Sequence, residues 1–163
     1  MNSPTDQLRE EHERILSVLD DLDALSLQLG RDPAGLAPRA AKLARFILEY
    51  VDEFHHEKEE QLLFPAMKAA GMPYEGGPLP VMLQEHELGR GFVRTLVETS
   101  AAGLPNVEAF QAAAAGFSDL MRNHIRKENN ALFMMADRVL PPNVKRELVE
   151  LFQARGTGPT LEA

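Results

Sequence analysis

Apolar residues recur along this chain at spacings of three and four, the period of a helix with one buried face. No stretch alternates apolar and polar residues in the way a half-buried strand does. Ser3-Pro4-Thr5-Asp6 has the signature of a helix start: Ser3 at the cap, Pro4 in the first turn and an acid at the capping-box position. A first helix is predicted from there to about Leu29, with Leu8, His12, Ile15, Leu16 and Leu19 near one stripe and Gly30 as its stop. Asp32-Pro33-Ala34-Gly35 reads as a loop. A second helix is predicted from near Pro38 to Phe64, kinked by Pro65 and finished at Gly71. The stretch from Gly71 to Gly77 is rich in turn residues. A third helix covers Leu79 to Ala102, is broken by Gly103-Leu104-Pro105-Asn106, and is followed by a fourth from Val107 to Val139. Pro141-Pro142 opens a short fifth helix to about Ala154, and the tail from Gly156 is expected to be disordered. Long helices with short connections predict an all-α fold, an up-down-up-down four-helix bundle with a short fifth C-terminal helix. One domain is expected over residues 1–155, with 156–163 as the tail.

Composition narrows the function. A length of 163 residues suits one domain with a real core. No run of about 18 apolar residues occurs, so no membrane-spanning helix is expected. The first residues, to Glu13, are polar and acidic and lack the apolar segment of a signal peptide, which makes a cytoplasmic location the expectation. The net charge is −8, and no basic cluster stands out; neither nucleic acid nor a membrane surface is an expected partner. Cysteine is absent, which excludes disulfides and thiolate ligands and leaves His, Glu and Asp for any metal. There is no Gly-rich phosphate loop, dinucleotide fingerprint or nucleophile elbow.

One motif occurs twice. His55-His56-Glu57-Lys58-Glu59 leads into Leu63-Phe64, and His124-Ile125-Arg126-Lys127-Glu128 leads into Leu132-Phe133. Residues four apart share a helix face, so each copy aims an imidazole and a carboxylate the same way. At roughly 100° per residue, Glu59 lies mid-stripe between His55 and His56, among the apolar positions of its helix. Phe117, Met121, His124, Glu128, Ala131, Leu132 and Met135 share a face on the fourth helix. His86 shares one with Leu79, Met82, Leu83 and Val93 on the third, and His12 lies on the first. Every long helix therefore points at least one imidazole into the core. Burying unpaired carboxylates there costs several kcal/mol each, a term that bound cations reverse. The candidate metal ligands are His12, His55, His56, Glu59, His86, His124 and Glu128. This is the donor set of a carboxylate-bridged two-metal site, with iron as the expected metal. Glu57 and Glu60 are read as surface charges. Asp52 is read as an acceptor for an imidazole or a partner of Arg90, Tyr50 as packing, and Met82, Met121, Met134 and Met135 as core filler.

The pattern His12, His55-His56-x-x-Glu59, His86, His124-x-x-x-Glu128 resembles the hemerythrin-like HHE cation-binding domains over about Leu8 to Leu140. The resemblance implies the four-helix bundle and a non-heme diiron centre bridged by Glu59 and Glu128. His12 and His55 would lie toward one iron, and His86 and His124 toward the other. Oxygen-carrying members have a second His on the third helix where this chain has Met82, and Asp where it has Glu128; His56 restores the count of five histidines. The resemblance implies binding of O2 or a related small oxidant (NO or peroxide) as the partner, in a monomer or weak homodimer. The alternatives are a catalase-like or NO- or peroxide-consuming diiron enzyme, and an iron sensing, storage or cluster-repair protein. Cluster-repair relatives often carry a cysteine-containing N-terminal segment, which this sequence lacks.

Overall fold

The computed structural model describes residues 2–161, and every regular element among them is a helix. α1 spans Pro4–Gln28 and opens on the expected capping box. Ser3 Oγ accepts the Asp6 N–H and the Asp6 carboxylate accepts the Ser3 N–H, each at 3.1 Å. α2 (Pro33–Ile47) begins earlier than the sequence suggested. The segment read as a loop is a capped helix start: the Asp32 carboxylate accepts the Gly35 N–H at 3.0 Å, and Pro33 takes the first position, where its missing N–H costs nothing. α2 runs on with helical backbone through two π-helical stretches, π1 (Leu48–His56) and π2 (Glu59–Leu63), into α3 (Phe64–Ala69). α4 is Pro78–Ala101. α5 (Val107–Lys127) continues through π3 (Glu128–Leu132) into α6 (Phe133–Val139), and α7 is Pro142–Ala154. α4 packs chiefly on α5 and α2, and α1 on α5, consistent with the expected four-helix bundle and short fifth helix. None of the described helices is long and apolar enough to cross a membrane.

π2 and π3 coincide with the sequence repeat, whereas π1 has no counterpart in the second copy. The Phe64 N–H bonds to the Glu59 carbonyl and the Phe133 N–H to the Glu128 carbonyl, five residues back instead of four. Each Glu-x-x-x-Leu-Phe run thus holds one residue more per turn than an α-helix. The inserted residue changes which side chains face inward beyond it. Leu63, Phe64 and Met67 are buried after π2, and Leu132, Phe133 and Ala136 after π3. Ala131 and Met135, placed on the buried face by α-helical arithmetic, are exposed, and Met134 with them. Of the four methionines read as core filler, only Met82 and Met121 are buried.

Two apolar cores result. The larger gathers Ile15, Leu19, Leu22, Ile47, Val93, Leu96, Phe110 and Phe117, among others; the smaller gathers Leu8, Phe64, Leu79, Leu132, Phe133 and Phe152. Between them lies a layer of buried polar side chains, because each long helix passes from one core to the other through its histidine. Beyond α7, in the segment expected as a disordered tail, Gly158 lies against the Phe54 ring and Leu161 packs on the larger core. Glu162 and Ala163, the end of that segment, lie outside the described residues.

Candidate metal centre

All seven candidate ligands meet in that layer, each at most 2 % exposed. Their donor atoms form two groups: His56, Glu59, His86 and His124 in one, His12, His55, Glu59 and Glu128 in the other, with the atoms of each group within 4.8 Å of one another. Glu59 belongs to both, its Oε1 3.5 Å from His55 Nε2 and 3.4 Å from His86 Nε2. Glu128 also spans the groups, its Oε1 3.2 Å from Nε2 of both His12 and His124. The His56 and His86 rings stack at 3.7 Å, and Phe133 stacks on His12 at 5.3 Å.

Four side chains hold the imidazoles from behind. His55 Nδ1 meets the Glu11 carboxylate at 2.8 Å, His86 Nδ1 meets Glu60 at 2.8 Å, His124 Nδ1 meets Glu85 at 2.9 Å, and His12 Nδ1 meets Asn129 Oδ1 at 2.7 Å. Oxygen acceptors at Nδ1 require the proton there, so in each of these rings, when neutral, Nε2 carries a lone pair aimed inward. His86 Nε2 and His124 Nε2 then face each other at 3.2 Å as two acceptors. Between neutral rings the contact is repulsive; a proton on His124 or a bound cation relieves it. Cations support the carboxylates in turn: Lys58 pairs with Glu11, Arg90 with Glu60, and Lys127 with Glu85. Arg90 also pairs with Asp52 at 2.7 Å, one of the two roles expected for Asp52.

The fit to cations can be read from unmet bonding capacity. Among the described residues, the buried side-chain N and O atoms that lack a hydrogen-bond partner are Nε2 of His12, His55 and His56 and both oxygens of Glu59 and Glu128. All belong to this cluster. Buried polar atoms are normally satisfied, and bound metal ions would satisfy these. The titration behaviour agrees. Burial pushes His55 down to about 4, and burial with neighbouring imidazoles pushes His56 well down; burial also lowers His86. All three are thereby kept in the neutral, ligating form. Burial and the adjacent Glu128 charge raise the Glu59 carboxyl well above its usual range. Glu128 goes the other way: burial opposes its ionisation, but His124, Glu59 and His12 hold it well below that range. Burial likewise disfavours the charged form of His124, yet Glu128 and Glu85 raise it to about 9.

Sequence reasoning missed the supporting residues. Glu60, read as a solvated charge, is drawn under His86 by the π turn that starts at Glu59. Glu11 and Glu85 each precede a histidine in an identical Glu-His-Glu triplet, a repeat that marks both positions in the sequence. Lys58 is 1 % exposed and lies over the faces of Phe54 and Phe152. By contrast, Glu57 is the expected surface charge, paired with Arg155, and Tyr50 packs in the larger core.

Imidazoles and carboxylates converging from four helical runs on a dry interior define a helical cation-binding protein. The chain belongs to the hemerythrin HHE cation binding domain family, whose model matches residues 3–136. Similar curated proteins are named iron–sulfur cluster repair protein YtfE. The one from Enterobacter sp. (strain 638) is 29 % identical over 133 residues, 77 % of this chain and 60 % of the relative. That from Cronobacter sakazakii is 30 % identical over 134 residues, 77 % of this chain and 60 % of the relative. That from Musicola paradisiaca is 30 % identical over 140 residues, 82 % of this chain and 60 % of the relative. The chain thus spans 60 % of the length of these relatives. No solved structure matches the chain significantly.

Proposed function

We propose that this chain is a non-heme diiron protein whose up-down-up-down helical bundle binds a small oxidant (O2, NO or peroxide) at a site of two irons. The observation that carries the reading is the set of fully buried, unpartnered nitrogen and oxygen atoms that falls into two groups sharing Glu59. His56, His86 and His124 would hold one ion, His12 and His55 the other, with Glu59 and Glu128 between them. A ferrous pair supplies up to two electrons to a bound oxidant. The protein's part is to fix the ring orientations through Glu11, Glu60, Glu85 and Asn129, to keep His55, His56 and His86 neutral by burial, and to hold bulk water out between two apolar cores. The group with His12 and His55 offers two nitrogens against three, so an ion held there would be the one with a coordination place left for a small molecule.

The second reading is iron handling in cluster repair, favoured by the names of the relatives. Iron loading decides first: about two irons per chain are expected, and they are lost in Glu59→Ala. Titration of the loaded protein with O2, NO and H2O2, followed by visible absorbance, then separates the readings. A band that forms with one oxidant and reverses on its removal supports binding, and sustained O2 evolution from peroxide supports an enzyme. Iron transfer to a cluster-depleted acceptor with no response to any oxidant supports repair.

A further inference from the structure

The site carries an internal two-fold pattern, and one half of it is altered. Glu11-His12 on α1 corresponds to Glu85-His86 on α4, and His55, Lys58, Glu59 and Glu60 correspond to His124, Lys127, Glu128 and Asn129. The contacts repeat with the sequence. Glu11 accepts from His55 as Glu85 does from His124. Lys58 pairs with Glu11 as Lys127 does with Glu85. Glu60 accepts from His86, and Asn129 from His12. Two places depart from the pattern. The counterpart of His56 is Ile125. The counterpart of Glu60 is the neutral Asn129, and the position matching its cation, Arg90, is Leu16. Both departures fall on the half that contains His12 and His55.

An acceptor on the imidazole N–H makes the opposite nitrogen a stronger donor, more so when the acceptor is an anion. His55, His86 and His124 each have a carboxylate behind them, whereas His12 has an amide. Arg90 does not cancel the charge of Glu60, because it is shared with Asp52 and Glu87. We propose that Asn129 is a positioning residue that widens the inequality of the two ion positions beyond what His56 and its counterpart Ile125 already set: by holding His12 through a neutral group, it leaves the His12/His55 position the less electron-rich and the harder to oxidise. This rests on the two-iron reading above. Asn129 also lines a surface cavity of about 280 Å³ with Arg122 and Arg126. A carboxylate in its place would therefore remain hydrated with cations beside it, and Asn129→Asp changes charge with almost no change of shape.

The test compares iron-loaded wild type, Asn129→Asp and Glu60→Gln. Iron per chain is measured first, then the two one-electron couples by mediated redox titration, with Mössbauer spectra of each half-oxidised sample. In Asn129→Asp two irons are retained, the higher couple moves to lower potential, and the gap between the couples narrows. In Glu60→Gln the lower couple moves upward, again narrowing the gap. Unmoved couples in Asn129→Asp, or couples that move together by the same amount, overturn the proposal. If Asn129→Asp does not hold iron, an unmoved lower couple in Glu60→Gln overturns it instead. Fewer than two irons in the wild type overturns the two-iron reading, a separate result from the failure of this one.

Discussion

Replacing Glu59 by Gln should stabilise the metal-free protein and weaken the iron-loaded one. Without metal, both Glu59 oxygens are buried and unpartnered, and Glu128 lies beside them. The folded state therefore holds a proton on Glu59 at pH values where the unfolded chain has released it. A carboxyl raised in this way contributes its full stability below the unfolded value, and that contribution is lost as pH rises toward the folded one. The loss is about 1.4 kcal/mol per pH unit. Between the ordinary value of 4.5 and pH 7 it is bounded at roughly 3 kcal/mol. An amide of the same shape carries no such proton and can donate to Glu128. The metal-free Glu59→Gln protein should thus exceed wild type by up to about 3 kcal/mol at pH 7, or roughly 6–12 °C in melting temperature for a chain of this size. The gain should shrink toward zero near pH 4.5. With iron bound the order reverses, because an anionic donor is lost, and each tenfold fall in affinity removes about 1.4 kcal/mol per ion. Urea unfolding of chelator-treated and iron-loaded samples from pH 5 to 7 reads both effects. A metal-free variant less stable than wild type at pH 7, or a difference that does not grow with pH, would refute the reasoning that Glu59 is held there for a cation.

Iron binding at pH 7 should release a proton from His124, with the raised Glu59 carboxyl adding to the release, since bound metal requires both deprotonated. Calorimetry in buffers of different ionisation enthalpy measures this, and apparent affinity should rise with pH through neutrality; a pH-independent affinity would contradict it. Lys58→Met should cost about 1–3 kcal/mol in chemical unfolding, because it leaves the partly buried Glu11 carboxylate without its cation and with only His55 to pair it. The matching Lys127→Met should cost under about 1 kcal/mol, since that amine is 47 % exposed; equal costs would count against burial as the cause. Phe133→Ala should cost about 3–5 kcal/mol through the cavity it opens in the smaller core. It also removes the ring stacked on His12, so iron content after gel filtration should fall with it.

What the sequence discloses and what it hides divide along a physical line. His-x-x-x-Glu spacing on two helices, with His56 beside one pair and one more histidine on each of the other helices, is enough to bring seven residues into one layer: α1, α4 and α5 are regular as far as His12, His86 and His124, whereas His55 and His56 lie at the end of π1. The α-helical period also fails immediately after both glutamates. The same 100° step assigns Met135 inward and Glu60 outward, and both assignments reverse because π2 and π3 close five residues back. A wider turn rotates less per residue, so the neighbours Glu60 and Asn129 stay near enough in angle to Glu59 and Glu128 to reach the rings of His86 and His12. A regular α-helix would turn these two residues further from the layer. The repeated Glu-x-x-x-Leu-Phe therefore encodes more than a ligand and a core contact: the local departure from α-helix lets one short stretch of chain supply both a donor to the ions and the group that aims the donor of the facing helix. Propensity scales carry no term for that, since the energy that selects the π turn comes from tertiary contacts of the buried layer rather than from the residues of the turn themselves.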